Sequence, residues 1–361
     1  MSAYHIIRHV LVAGVACAVT GAAPAVARAA VGQIEWSIDR DGASSDASRV
    51  QLTIESRWTA NSRSTWSNDR AIGELQGLTP AQVTGPRGPV RFALVREAGR
   101  LDCGGTLGQF TGSGTCGFTA DPGFSAFLQA KGIGSPDLED SYSLTMSGVG
   151  RRLVEALSSI GYVRPNVDQL VAMGIHGVSD DYVRGLAQSG YRLKSADDLV
   201  AFRIHGVSLD YLRELAAIGP QLSHLDADDV VSMRIHGVTP AYVRELAAIG
   251  PAFRSLTSED LVAFRIHGAK PEMVRAYARL TGGRLDKDDV VAMAIHGVSA
   301  SYIEELAELG YTHLTADQLV QMRIHGVSPD YVRSLQSAGM ARISPDQLVR
   351  LRLAGFRPSN R

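Results

Sequence analysis

Two periodicities divide this chain. From Val31 to Phe118 apolar and polar residues alternate, as in Ile34-Glu35-Trp36-Ser37-Ile38, Val50-Gln51-Leu52-Thr53-Ile54 and Val90-Arg91-Phe92-Ala93-Leu94. A period of two is that of half-buried antiparallel strands. From about residue 121 the apolar residues recur at helical spacing, in segments of about ten residues. Leu199, Val200, Phe202 and Ile204 form one apolar stripe, and Tyr211, Leu212, Leu215 and Ile218 form the next. The pattern predicts an α+β multidomain chain, with a small antiparallel β domain at 30–120 and an α-solenoid of helix-turn-helix repeats at 121–361.

The helical part is periodic at a longer scale. Arg-Ile-His-Gly-Val or a close variant recurs around His176, His205, His236, His267, His296 and His325, at intervals of 29, 31, 31, 29 and 29 residues. Periods of this length belong to stacked repeats. Ser147-Gly148-Val149 and Ala354-Gly355-Phe356 continue the register outward as degenerate terminal copies, giving about eight copies in all. Ten residues before each motif stands a helix-capping type: Asn166, Ser195, Asp226, Thr257, Asp286, Thr315 and Ser344. Gln169, Asp198, Asp229, Asp260, Asp289, Gln318 and Gln347 follow at the capping-box position. The glycine after each histidine is placed to end the first helix, here termed helix A. Ser179, Ser208, Thr239, Ser299 and Ser328 cap helix B, and Gly190, Gly219, Gly250, Gly310 and Gly339 are expected to end it. Helices of about 15 Å are too short to stand alone in water, so each repeat must bury its stripes on its neighbours.

Residues 1–29 have the form of an export signal. Arg8 lies in a short basic start, Val10 to Val19 is apolar, and Ala27-Arg28-Ala29 supplies a small-x-small cleavage site, with cleavage expected after Ala29. A periplasmic or secreted location follows, with membrane attachment only if Cys17 were lipidated. Cleavage leaves Cys103 and Cys116, expected to be disulfide-bonded in such a compartment. Gly104-Gly105-Thr106 and Gly112-Ser113-Gly114 read as turns flanking Leu107 to Phe110. Losing Arg8 and Arg28 lowers the basic count from 36 to 34 against 37 acidic residues, a formal charge of −3 that argues against a nucleic-acid partner.

The six histidines invite a metal site, but equivalent positions in packed helices lie about 8–10 Å apart, whereas zinc ligands sit about 2 Å from the ion. They are expected to be structural, closing helix A at the negative end of its dipole. No catalytic residue, cofactor or metal is expected. Gly112-Ser113-Gly114-Thr115-Cys116-Gly117 matches a dinucleotide pattern by letters without opening a helix. Two arginine rows stand out. Arg184, Arg213, Arg244, Arg275 and Arg333 lie on helix B, with Glu304 breaking the row, and form the candidate partner-binding face for carboxylates. Arg203, Arg234, Arg265, Arg323 and Arg352 lie near the end of helix A.

Val90 to Arg96, the Phe118-Thr119-Ala120-Asp121-Pro122-Gly123-Phe124 corner and the repeats together resemble a bacterial module covering residues 31–356. It is similar to the extracytoplasmic C-terminal region of membrane metallopeptidase-like proteins of the β-lactam-sensor type, and to stand-alone exported proteins. The sensors' membrane helices and a His-Glu-x-x-His motif are missing here, so peptidase activity does not transfer. What the resemblance implies is an envelope-associated sensing or interaction role. The expectation is an exported, non-enzymatic binding or scaffold protein for a protein or peptide partner. The alternatives are an accessory sensor module, and a hydrolase with its site near Trp58 or Trp66.

Overall fold

The computed structural model describes residues 33–39, 48–59, 62–191, 193–281 and 285–358. The expected export signal, its expected cleavage site and Cys17 lie outside the described residues. Seven strands form one antiparallel sheet: β1 (Ile34–Ile38), β2 (Arg49–Arg57), β3 (Arg63–Ala71), β4 (Leu75–Gln76), β5 (Gly88–Arg96), β6 (Gly99–Gly108) and β7 (Thr111–Ala120), in the order β3-β2-β1-β7-β6-β5-β4. The alternating stretches are strands. Ile34, Trp36 and Ile38 of β1 and Val50, Leu52 and Ile54 of β2 are buried, with Trp36 opposite Ile54.

Cys103 and Cys116 are disulfide-bonded across β6 and β7. The glycines beside them are not turns, as the sequence reading had it, but strand interior. A Cβ at Gly105 would come within 2.8 Å of the Trp36 ring, and one at Gly114 within 2.6 Å of its nitrogen. Glycine there admits the buried indole, whose Nε1 donates to the Gly104 carbonyl at 3.2 Å. The reversal is made instead by Gln109 and Phe110, at φ 53° and 61°. This is the left-handed pair a tight hairpin requires. Their amides are held by the Gly85 and Val83 carbonyls.

The described residues divide into two compact units, one within residues 33–92 and 103–117, the other within residues 93–102 and 118–358. The tip of the β5–β6 hairpin thus belongs with the helices. Ala98 is buried among Phe124, Leu128 and Leu153, and Glu97 accepts from both the amide and the guanidinium of Arg151.

In the helical unit, α1 (Pro80–Thr84) of the other unit aside, the order runs α2 (Pro122–Ala130), α3 (Leu138–Ser147) and α4 (Arg151–Ile160), then six regular A/B pairs. The A helices are α5 (Val167–Ile175), α7 (Ala196–Ile204), α9 (Ala227–Ile235), α11 (Ser258–Ile266), α13 (Lys287–Ile295) and α15 (Ala316–Ile324). The B helices are α6 (Asp180–Gln188), α8 (Leu209–Ala216), α10 (Pro240–Ala247), α12 (Pro271–Thr281), α14 (Ala300–Glu308) and α16 (Pro329–Ser337). A lone A helix, α17 (Pro345–Leu353), closes the array. Like packs on like, α5 on α7 and α6 on α8. Capping boxes open α5, α7, α11, α13, α15 and α17, whereas the Asp226 side chain makes no capping bond.

Two expected helix ends differ. Gly219 and Gly250 are extended, and α8 and α10 stop before them at Ala216 and Ala247. Short 3-10 turns at Pro220–Leu222 and Pro251–Phe253 follow and take up the two extra residues of the 31-residue repeats. In the 29-residue repeats Gly190, Gly310 and Gly339 have the expected positive φ, from 82° to 94°.

Candidate functional site

The repeated motif builds two things, a joint between repeats and an exposed face. In the joint, the tyrosine of helix B is buried and its hydroxyl reaches the next repeat. Tyr182 donates to the Val207 carbonyl (2.7 Å), Tyr211 to Val238 (2.9 Å), Tyr242 to Ala269 (2.9 Å), Tyr302 to Val327 (2.8 Å) and Tyr331 to Phe356 (3.1 Å). The helix A arginine of that next repeat lies back over the same ring, with Arg203, Arg234, Arg265, Arg323 and Arg352 at 4.8–5.0 Å from the ring centres. Four of these also donate Nε to a carbonyl of the preceding motif. Arg203 reaches His176, Arg234 His205, Arg265 His236 and Arg323 Gly297, at 3.0–3.4 Å. Burial pushes the Tyr182, Tyr211, Tyr242 and Tyr302 hydroxyls up to about 12, against the opposing pull of the arginine above each ring.

The helix A arginine row is therefore engaged in the joints between repeats, each guanidinium lying over a buried ring while Arg203, Arg265, Arg323 and Arg352 keep an exposed side. The two joints that lack the arginine also lack the tyrosine: Leu153 faces the repeat of Gly174, and Met273 faces the repeat of Ala294. Arginine and tyrosine are present together or absent together, as expected of one interlocking unit.

Three of the motif histidines, His176, His205 and His236, join the repeats through their backbone carbonyls. His176, His205, His236, His267, His296 and His325 each sit at the C-cap with φ between −86° and −89°. The following glycine takes a positive φ of 66–71°. Their side chains are exposed or half-buried. Among the described residues no three His, Cys, Asp or Glu side chains converge as a metal site, and no helix is long and apolar enough to cross a membrane.

The helix B arginines are all exposed. Three have carboxylate partners: Arg213 with Asp210 at 2.9 Å, Arg244 with Glu214, and Arg333 with Asp330 and, at 3.8 Å, Glu305. Arg184 and Arg275 form no ion pair among the described residues. Glu304, which interrupts the row, binds Arg279 at 2.6 Å.

The second product of the motif was missed. Ile204, read as part of the buried stripe, points outward with half its surface exposed, and so does its counterpart in every repeat. Ile175, Ile204, Ile235, Ile266, Ile295, Ile324 and Leu353 are 49–65% exposed. Seven residues earlier on the same helix stand Asp168, Asp197, Asp228, Glu259, Asp288, Asp317 and Asp346, an acid in every repeat. At 100° per residue, seven steps bring the chain back to within about 20° of the same face and about 10 Å along the axis. Half-buried Val171, Val200, Val231, Val262 and Val291 lie between the rows. One face of the A layer thus carries parallel apolar and acidic ladders. The signal lay in the sequence as an apolar residue at a position the helical stripe does not need.

A cleft of about 320 Å³ between two repeats is lined by Tyr191, Lys194, Asp198, His224, Asp226 and Asp228, among others. His224 takes φ 57° and Asp226 is the N-cap residue without a capping bond.

Trp58 and Trp66 are half-buried in the strand region. Comparison with known proteins gives no matching family model and no similar curated protein.

Proposed function

We propose that this chain is an exported, non-enzymatic interaction protein whose helical repeats engage a protein or peptide partner in the cell envelope. One observation carries the reading, the row of exposed isoleucines held at the same place in successive repeats. Fully burying one such side chain contributes about 1.5–3 kcal/mol, so covering a half-exposed one contributes about 1 kcal/mol, and several in register suffice for a specific complex. Regular arrays suit this role because each repeat adds the same contact at a fixed step. The disulfide is consistent with an oxidising compartment, and the resemblance to extracytoplasmic modules of sensor-type proteins favours the envelope.

The test is crosslinking in the envelope and affinity capture with three forms of the protein: native, Ile235→Ser/Ile266→Ser/Ile295→Ser, and Arg213→Ala/Arg244→Ala/Arg275→Ala. A partner captured by the native form and lost from either folded variant supports the reading and tells which face carries it. Capture that is the same for all three forms counts against it.

A further inference from the structure

The A-layer face favours one class of occupant by its charge. We propose that it binds an extended, basic polypeptide segment that carries apolar side chains at every third residue, its cations on the acidic ladder and its apolar groups on the isoleucine ladder. The inference rests on the interaction reading above and names the partner's chemistry.

Three observations lead there. The apolar ladder is exposed in every regular repeat, and its members are equivalent by position, so a partner meets the same apolar step each time. The acidic ladder runs parallel to it about 10 Å away. An acid in the first helical turn is favoured by the helix dipole, but whatever placed it there, the ladder gives this face a negative field. Beside the ladder, the Asp289 carboxyl is held above its usual range by burial first, against a lowering hydrogen bond from the Asp286 amide, and with repulsion from Asp286 and from the ladder acids Asp317 and Asp288 contributing. A cationic partner meets this charge favourably, whereas an anionic one adds to the repulsion.

The helix A arginines point back over the tyrosine rings of the preceding repeat, and those of helix B belong to the other layer. Lys287, in a helix A first turn, is already bonded to Asp260 at 2.8 Å.

The spacing selects the conformation. Packed helices recur every 8–10 Å. A β-strand presents one face every two residues, about 6.6 Å, which drifts out of step. A polyproline II segment turns once per three residues and rises about 9.3 Å. One turn therefore advances one repeat, and neighbouring side chains, 120° apart around the segment, reach the two ladders.

The test uses the full exported chain and four synthetic 18-residue peptides of about 56 Å. They are six copies of Lys-Leu-Pro, of Glu-Leu-Pro, of Lys-Ser-Pro, and a shuffle of the first that destroys its period. Binding is followed by calorimetry at low and physiological salt. The expected result is that the Lys-Leu-Pro peptide binds, weakens with salt, and loses at least about tenfold in affinity against Asp228→Asn/Glu259→Gln/Asp288→Asn and against Ile235→Ser/Ile266→Ser/Ile295→Ser. The shuffled and serine peptides should bind at least about tenfold more weakly. Circular dichroism confirms that the variants fold.

If the Glu-Leu-Pro peptide binds better, and loses its affinity with Arg213→Ala/Arg244→Ala/Arg275→Ala, the protein is an interaction module but the ligand class and face proposed here are wrong. Lys-Leu-Pro binding unchanged by the acid-row variant overturns the proposal in the same way. If no peptide binds and envelope capture is also face-independent, the interaction reading itself fails.

Discussion

Removing one hydroxyl from the centre of the array tests the joint directly. In Tyr242→Phe the ring stays in place under Arg265, 4.9 Å away, while the 2.9 Å bond to the Ala269 carbonyl is lost. A buried carbonyl left without its donor costs about 1–3 kcal/mol. Arg265→Gln removes the guanidinium from the ring, about 0.5–1 kcal/mol at an exposed site, together with its 3.3 Å bond to the His236 carbonyl. Because both groups meet at one ring, Tyr242→Leu and Arg265→Gln should be non-additive, with a coupling of about 0.5–1 kcal/mol. Repeat arrays can open locally rather than all at once. The assay is therefore hydrogen exchange of the Val243 and Ala269 amides, which flank the joint, alongside denaturant unfolding. Faster exchange confined to repeats around the joint is the expected result. A Tyr242→Phe cost below about 0.3 kcal/mol, or a coupling of zero, would refute the idea that the joint is one interlocked unit.

Other outcomes follow from the same geometry. Met273→Tyr with Ala294→Arg should install the missing joint and stabilise the chain by about 1 kcal/mol, with less than half of that from either change alone, as read by denaturant midpoint. Alkaline pH should unfold the array. Tyrosines held at about 12 in the fold but at 10 in the open chain favour the neutral form. Their contribution is complete below pH 10 and is lost between 10 and about 12, at up to about 1.4 kcal/mol per pH unit for each tyrosine. Tyrosinate absorbance and helical circular dichroism should change together near pH 11, and a tyrosinate midpoint near 10 with the helices intact would contradict the burial argument. Gly237→Ala should cost about 1–2 kcal/mol because φ is 68° there, whereas His236→Ala should stay within about 0.5 kcal/mol because that side chain is exposed. Cys103→Ser with Cys116→Ser should lower stability by about 3 kcal/mol, read from the unfolding of the strand region.

Local chemistry made much of this fold legible. Capping residues, post-histidine glycines and the 29–31-residue period located nearly every helix, since a cap and a left-handed glycine act within a few residues of themselves. The extended Gly219 and Gly250 were misread because a glycine marks an end without saying which conformation follows. That was settled by where Leu222 and Phe253 could be buried.

The strand glycines were misread for a related reason. Nothing near Gly105 or Gly114 in the chain announces that the Trp36 indole lies against them. Ile204 was counted in the apolar stripe of its helix because a stripe drawn on one helix cannot tell which flank its neighbours cover. The arginine rows posed the same difficulty, since a charge every 29 residues reads alike whether it faces solvent or a tyrosine in the adjoining repeat. By itself, then, the sequence determined the helices, most of their ends, the period and the paired cysteines, because those depend on interactions within a few residues or on simple counting. Tertiary structure alone decided which arginines are locked in joints and which isoleucines and acids form an open face, because exposure is set by the packing of each repeat on the next.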